Sequence, residues 1–254
     1  MKNTLLLFFF ISVNFNLLAQ PKVIAHRGYW NCKGSAENSI ASLIKAHNLE
    51  GVYACELDSY ITADGVVIVN HESTIEGHII ETSTYKEIKE FRLPNGEKRP
   101  TFKQYLKKAK KNKEYLFIEI KEHKINPAVN EKRIVNTMLG LVKKYKMESN
   151  VEYISFSINV CTLLKATDPS VKVAYLPRIK LDPKQIKTIG LEGIDYSIKV
   201  FEEHPEWVKN AHELGLMVNV YGPSTEQSLQ QFIDLGVDFI TTDNPVLLIK
   251  MLKE

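Results

Sequence analysis

Cysteine is scarce in this chain: Cys32, Cys55 and Cys161 are the only three in 254 residues, and none pair in CxxC spacing. That excludes a disulfide framework and a cysteine-ligated zinc site. It leaves room for one bridge at most, between partners the spacing does not single out. Net charge is only +3, too mild for nucleic acid, which demands a dense basic face. The one notable charge run, KKAKKNK at 107–113, closes an amphipathic pattern and reads as the solvated side of a helix. Internal repeats, low-complexity stretches and linkers are absent as well, so no second domain is drawn.

Long apolar runs are missing except at the start. Lys2 is followed by an apolar run from Leu5 to Val13, a more polar stretch from Asn14, and a small residue at Ala19. The run is roughly ten residues, whereas a membrane span needs about 20. It therefore reads as the core of a secretory signal peptide cut after Ala19. No cysteine follows that cut, which argues against a lipid anchor. The expectation is a signal peptide over 1–19, export to the periplasm or medium, and one mature domain over 20–254 with no stable membrane span. Oligomeric state is not legible.

What is present, from residue 22 on, is alternation. Short β-branched runs (VIAH, VYACELDSYIT, VVIVNH, EYLFIEIK, VEYISFS, VKVAYLP, GIDYSI, LMVNVYG, VDFITTD) are separated by amphipathic helical patterns, the first over Glu37–Glu50. Such alternation predicts a parallel sheet with helical crossovers, and at this length a (β/α)8 barrel. The runs number one more than a closed eight-stranded barrel requires, so one is expected outside it. Between VYACELDSYIT and VVIVNH there is no helix, only Thr62-Ala63-Asp64-Gly65. Either residues 59–63 run back as extended chain between parallel strands, or the two strands form an antiparallel hairpin. A small insertion of about 30 residues follows the third strand.

In a strand, alternate side chains share a face. Glu56 and Asp58 therefore point one way and Cys55 and Leu57 the other; Glu119 and Lys121 likewise oppose Ile118 and Ile120. His26 and Arg27 close the first run and His71 the third. In parallel α/β barrels the carboxyl ends of the strands build the active site. Seven polar groups at corresponding ends are hard to explain as caps or surface residues.

In their order these residues resemble the glycerophosphodiester phosphodiesterase family. The motifs are His26-Arg27-Gly28, Glu37-Asn38-Ser39, Glu56-Leu57-Asp58, Thr62-Ala63-Asp64-Gly65, His71-Glu72 and Glu119-Ile120-Lys121. Ser155-Phe156, Tyr175-Leu176 and Ile240-Thr241-Thr242-Asp243-Asn244-Pro245 look like later landmarks. The likeness spans essentially the whole mature chain. It implies a metal-dependent phosphodiesterase that releases glycerol 3-phosphate and an alcohol from a small glycerophosphodiester, through a cyclic phosphate. It also implies His26 and His71 as general acid and base, and Arg27 and Lys121 as phosphate ligands. Glu56, Asp58 and Glu119 would be the metal ligands, with Glu37 and Asn38 in support behind them. An all-oxygen donor set suits Ca²⁺ or Mg²⁺. The order in which the two histidines act is not readable.

The chain departs from the family in places. Glu72 stands for the usual Asp, and Tyr221, followed by Gly222-Pro223, stands where a Trp is common. Tyr221 and Trp30 are read as walls for the alcohol or glycerol group. His123 is read as a solvated loop histidine. A lysophospholipase D or a glycerophosphoinositol phosphodiesterase would use the same phosphate chemistry. A non-catalytic binding barrel would have lost one of the histidines or acids. A Schiff-base lyase built on Lys121 would need a depressed lysine pKa, which neighbouring acids oppose.

Overall fold

The computed structural model describes residues 20–254; the segment read as a signal peptide lies outside the described residues. Eleven strands are present: β1 Lys22–Ala25, β2 Val52–Ile61, β3 Val67–Val69, β4 Thr74–Ile75, β5 His78–Ile79, β6 Tyr115–Ile120, β7 Val151–Ser155, β8 Lys172–Tyr175, β9 Gly193–Ser197, β10 Met217–Tyr221 and β11 Phe239–Thr242. Ten helices interleave with them: α1 Ile40–His47, α2 Tyr85–Ile88, α3 Phe102–Asn112, α4 Pro127–Tyr145, α5 Ile158–Thr167, α6 Pro183–Ile189, α7 Ile198–Glu203, α8 Glu206–Glu213, α9 Glu226–Leu235 and α10 Pro245–Lys253.

Strands β1, β2 and β6 to β11 pair in parallel, and β1 contacts both β11 and β2, so the sheet closes into an eight-stranded barrel. Closure follows from the pattern of burial. Outward-facing Cys55, Leu57, Ile118 and Val218 pack beneath the helices with Leu43, Phe102 and Leu164. Inward-facing Ile24, Ala54, Phe117, Ile154, Ala174 and Phe239 fill the barrel. Both faces are thus removed from water, which parallel sheets require. Helix α3 shows the amphipathic logic plainly: Phe102, Tyr105, Leu106 and Ala109 are buried, while Lys107, Lys110 and Lys111 are exposed.

The ninth run is β3, and of the two connections left open the hairpin is the one found. Ser59 pairs with Val69 and Ile61 with Val67, antiparallel. Strand β2 is ten residues long, so it overshoots the barrel and carries the hairpin above the mouth. Gly65 turns the corner at φ +87°, and Thr62 Oγ1 accepts from Val66 N at 2.9 Å. His71 therefore does not close a barrel strand. It is brought back down to the mouth by a returning strand, with Asn70 N donating to Asp58 O at 3.1 Å. The insertion that follows holds β4, β5 and α2 and packs Ile75, Ile80 and Ile88 against Tyr60 and Ile68 of the hairpin.

Helix α1 begins at Ile40, the first apolar residue of its pattern, and not at Glu37. Asn38 sits at φ +60°, outside helical space, and Ser39 caps the helix by accepting from Ser42 N at 2.9 Å. Glu37 therefore lies ahead of the helix and does not serve its first turn.

Candidate active site

The barrel mouth gathers the residues the sequence singled out, and local geometry explains each placement. In the β2/β6 register Asp58 and Glu119 are Cα partners, two residues along from Glu56 opposite Phe117. Partners on adjacent parallel strands face the same side, so all three carboxylates turn into the barrel. They are 2%, 0% and 7% exposed for Glu56, Asp58 and Glu119, and each offers an oxygen within 4.8 Å of the others.

After β1 the chain turns sharply, with Arg27 at φ +54° and Gly28 at φ +78°. A Cβ on Gly28 would lie 2.5–2.7 Å from atoms of Ser42, so only glycine lets this turn press against α1. The turn aims Arg27 N at Glu56 Oε2, 2.8 Å away. The guanidinium donates to Glu37 Oε2 at 2.7 Å and lies 3.4 Å from Asp58 Oδ2. Asn38 braces Asp58 from behind: its Nδ2 donates to Oδ2 at 2.8 Å, and its Oδ1 accepts from Asp58 N at 3.1 Å. Glu37 thus touches Arg27, and Asn38 touches Asp58. Lys121 Nζ sits 2.8 Å from both Asp58 Oδ1 and Glu119 Oε1.

These contacts set the ionisation. Burial, then Asp58 and Glu119, push Glu56 well above the usual carboxylate range. Burial and Asp58 push Glu119 up to about 8, against Lys121. Burial would raise Asp58 too, but Lys121, His71 and Arg27 outweigh it and hold Asp58 low. For Lys121, burial is outweighed by Asp58 and Glu119, so its pKa is raised and the amine stays charged. That removes the chemical premise of a Schiff-base lysine.

Three buried acids with only oxygen donors fit a hard divalent cation. Asp58 Oδ1 and Glu119 Oε1 are buried without a directed hydrogen bond; Lys121 is close enough to pair with them but lies off the hydrogen-bonding direction. One oxygen of each acid lies within 4.8 Å of the others, close enough to share one ion, and the Lys121 ammonium already neutralises part of the charge there.

The histidines flank this cluster. His26 Nδ1 lies 2.8 Å from Asp243 Oδ1, which also accepts from Trp30 Nε1 at 2.9 Å. His71 Nδ1 lies 2.9 Å from Glu72 Oε1, so the longer Glu72 arm still reaches the ring. Burial lowers the His71 pKa; Asp58 opposes this, and Lys121 and Arg27 reinforce it.

Three cavities meet at His71. A deep one of about 160 Å³ is lined by His26, Arg27, Glu56, Lys121, Asp195 and Tyr221, among others. A cleft of about 660 Å³ runs between the loop after β1 and the insertion, past Trp30, Glu37, Leu93 and Arg99. A third, about 510 Å³, is bounded by Tyr60, Lys121, Phe156 and Arg178. Tyr221 lines the deep cavity and Trp30 the cleft, and Tyr221 meets Phe156 edge-on at 6.2 Å.

Two acids escaped the sequence reading. Asp243, noted only as part of a landmark, is the partner of His26. Its position just beyond the end of β11, beside β1 in the closed barrel, was the available signal. Asp195 lies inside the barrel on β9, and an acid in the middle of a buried strand was the clue. His123 is corrected outright: it is 2% exposed, not solvated, and packs edge-on against Tyr60 at 5.7 Å. The β2–β3 hairpin overhangs that loop and covers it.

Comparison with known proteins agrees with this geometry. The model of the glycerophosphoryl diester phosphodiesterase family matches residues 26–247. A glycerophosphodiester phosphodiesterase of Caldanaerobacter subterraneus is 27% identical over 246 residues, covering 91% of this chain and 98% of its own. One from Bacillus altitudinis is 24% identical over 250 residues, covering 92% and 98%. The crystal structure of a glycerophosphodiester phosphodiesterase from Parabacteroides distasonis is 41% identical, with a TM-score of 0.88 over 92% of this chain and 97% of that one.

Proposed function

The chain belongs to the glycerophosphoryl diester phosphodiesterase family, and from that premise we propose that it hydrolyses small glycerophosphodiesters to glycerol 3-phosphate and an alcohol with a divalent cation bound. The observation that carries this reading is the deep cavity, where His26, His71, Arg27, Lys121 and two of the three clustered acids face one volume of about 160 Å³. The cavity offers a phosphodiester two proton carriers, two cations for phosphate oxygens, and oxygen donors for a metal.

Glu56, Asp58 and Glu119 would hold the ion, Ca²⁺ or Mg²⁺, which supplies charge against the phosphate oxygens as negative charge builds. Arg27 offers Nη donors and Lys121 an ammonium to the same group. The small deep cavity suits the glycerol unit and the open cleft suits the departing alcohol. His26 lines only the deep cavity among the three, and Asp243 holds its Nδ1. It takes the proton of the glycerol hydroxyl next to the phosphate-bearing carbon. That oxygen attacks phosphorus, and internal attack gains an effective molarity on the order of 10⁵ M or more. His71, where the three cavities join, gives a proton to the alcohol oxygen as its P–O bond breaks. The cyclic phosphate then takes up water, with the two histidines exchanging roles, and opens to glycerol 3-phosphate.

Leaving-group chemistry tests this directly. His26→Ala and His71→Ala should each lower kcat by about 10²–10⁴-fold on a choline or ethanolamine diester. A p-nitrophenyl diester needs no protonation to leave, so it should largely restore His71→Ala and leave His26→Ala impaired. The opposite pattern exchanges the two roles, and near-normal turnover by either variant removes it from the scheme. The same assay after chelation, with Ca²⁺ or Mg²⁺ restored, tests metal dependence; activity that ignores the chelator would end that part. A substrate panel extending to lysophospholipids and glycerophosphoinositol ranks the alcohols.

Export is part of the proposal, supported by the character of residues 1–19. Among the described residues no helix is long and apolar enough to cross a membrane. Protein recovered from the periplasm or medium should begin at Gln20 on N-terminal sequencing. An intact Met1 in the cytoplasmic fraction would refute export.

A further inference from the structure

The deep cavity contains more than phosphate cleavage uses. Asp195 lines it, from the middle of β9, and is only 1% exposed. Its register partner on β10 is Asn219, also wholly buried. Asn219 Nδ2 donates to Thr241 Oγ1 at 2.8 Å. That leaves Asn219 Oδ1 buried with no donor, and Asp195 Oδ1 is in the same condition. The Asn219 side chain also reaches Asp195, so the two are joined across neighbouring strands, and of the two only Asp195 lines the cavity below the reaction centre.

Unpaired buried acceptors are uncommon in native structures because each costs free energy. Burial pushes the Asp195 carboxyl up to about 7, with Asn219 opposing and the like charge of Glu152 adding to the rise. No catalytic step described above needs this acid. With its proton on, Asp195 can donate to Asn219 Oδ1 across the strand pair and still accept at its other oxygen; a partner for that acceptor can arrive through the cavity that Asp195 lines.

The surroundings narrow the chemistry of that donor. Arg27 and Lys121 already line the same cavity, so a second ammonium would enter against like charge. Beside the two histidines, Glu56, Glu119 and Thr241, the walls are the apolar faces of Ile154, Phe156, Leu176 and Tyr221. At about 30 Å³ for each water, the space holds about five, close to the size of a short polyol. A hydroxyl on a short carbon chain meets every condition: neutral, a donor, and bonded to carbons that pack on apolar walls. Of the hydroxyls on the glycerol unit, the one beside the phosphate-bearing carbon is consumed as the nucleophile. The terminal hydroxyl is left.

We propose that Asp195, with Asn219 beside it, accepts a hydrogen bond from the terminal hydroxyl of the glycerol unit and is the residue that selects glycerol phosphodiesters over diesters lacking that hydroxyl. The inference rests on the phosphodiesterase reading of the site and adds a specificity residue to it.

The test compares two substrates with the metal-loaded, full mature enzyme. One is sn-glycero-3-phosphocholine; the other is the phosphocholine diester of propane-1,2-diol, which keeps the attacking hydroxyl and lacks the terminal one. Leaving a buried acceptor unpaired corresponds to about 5- to 150-fold in kcat/KM, and the wild type should favour the glycerol substrate by that ratio. Asp195→Leu should bring the ratio to within about threefold of unity. Asp195→Asn, which keeps an acceptor oxygen, should retain part of the preference. A purely structural Asp195 would lower both substrates together and leave the ratio unchanged, which overturns the proposal. So would a wild-type ratio near one with good turnover of both. If Asp195→Leu fails to fold, product inhibition of the wild type carries the test: glycerol 3-phosphate should inhibit at least fivefold more tightly than propane-1,2-diol phosphate, and equal inhibition overturns the assignment. Turnover of neither substrate would instead overturn the phosphodiesterase reading, and this inference with it.

Discussion

Asp243→Asn is the sharpest probe of the catalytic geometry. Asp243 Oδ1 serves two donors, His26 Nδ1 at 2.8 Å and Trp30 Nε1 at 2.9 Å. Burial would raise its pKa, but the bonds from His26 and Trp30 and the charge of His26 outweigh that and hold the carboxyl below the usual range. An ionised Asp243 accepts only, so a neutral His26 keeps its hydrogen on Nδ1 and leaves Nε2 free to take a proton. An asparagine of the same shape loses the charge. Turned one way it still accepts, but a neutral acceptor contributes ~1 kcal/mol less than a charged one. Turned the other way its NH₂ faces Nδ1 and forces the hydrogen onto Nε2, which disables the base. Where a fully buried aspartate supports a histidine in a serine protease, this exchange costs about 10⁴-fold in kcat. The Asp243 side chain is 42% exposed, and solvent screening weakens the effect. The expected fall in kcat is therefore about 10- to 10³-fold, with little change in KM because Asp243 contacts no phosphate ligand. Glycerol 3-phosphate release under saturating metal reads it, and the p-nitrophenyl substrate should show the same loss. Trp30→Phe should cost less, about two- to tenfold, since it removes one neutral donor. The double variant should fall short of the product of the two, because both act through one oxygen. A kcat within threefold of wild type for Asp243→Asn would refute the reasoning.

Other consequences follow from the same structure. Lys121→Met removes the ammonium 2.8 Å from Asp58 and Glu119 and leaves the buried, ionised Asp58 with weaker compensation from Arg27; metal-free protein should lose about 3–5 kcal/mol in urea unfolding, and a loss under ~1 kcal/mol would show that Lys121 does not offset that charge. Asp195 holds its proton to about pH 7 when folded and to roughly pH 4 when unfolded. Between those values the folded state binds more protons, so this stabilising contribution is complete below about pH 4 and is lost as pH rises to about 7. Asp195→Asn should therefore gain on the wild type in unfolding free energy from pH 4 to 8, and parallel stability–pH curves would count against a proton on Asp195. Gly28→Ala places a methyl 2.5–2.7 Å from Ser42 at φ +78°, so it should destabilise by more than ~1 kcal/mol and depress kcat by shifting His26 and Arg27; a wild-type melting temperature would show that the turn yields freely.

Much of this was legible along the chain because side-chain direction in a strand is a local property. The period of two placed Glu56 with Asp58 and Glu119 with Lys121 before any strand was paired, and strand–helix alternation called for a parallel sheet. The His, Arg, Glu and Asp at strand ends then marked an active-site rim, and their resemblance to the glycerophosphodiester phosphodiesterase family implied phosphodiester chemistry. Harder positions were those whose meaning lies in a distant partner. His123 reads as a loop residue until a hairpin covers it, and Asp243 reads as a helix-entry landmark until the barrel closes.

By itself, then, the sequence determined the faces, the order of elements and the kinds of chemical group available, since these follow from propensity and periodicity within a few residues. The tertiary structure decided register, closure and the direction of β3. Register set Asp58 beside Glu119 and Asp195 beside Asn219. Closure joined β1 to β11 and brought Asp243 within 2.8 Å of a histidine 217 residues away. The hairpin returned His71 to the mouth from above. Those outcomes depend on packing every strand against two neighbours at once, and no local stretch of chain carries that information.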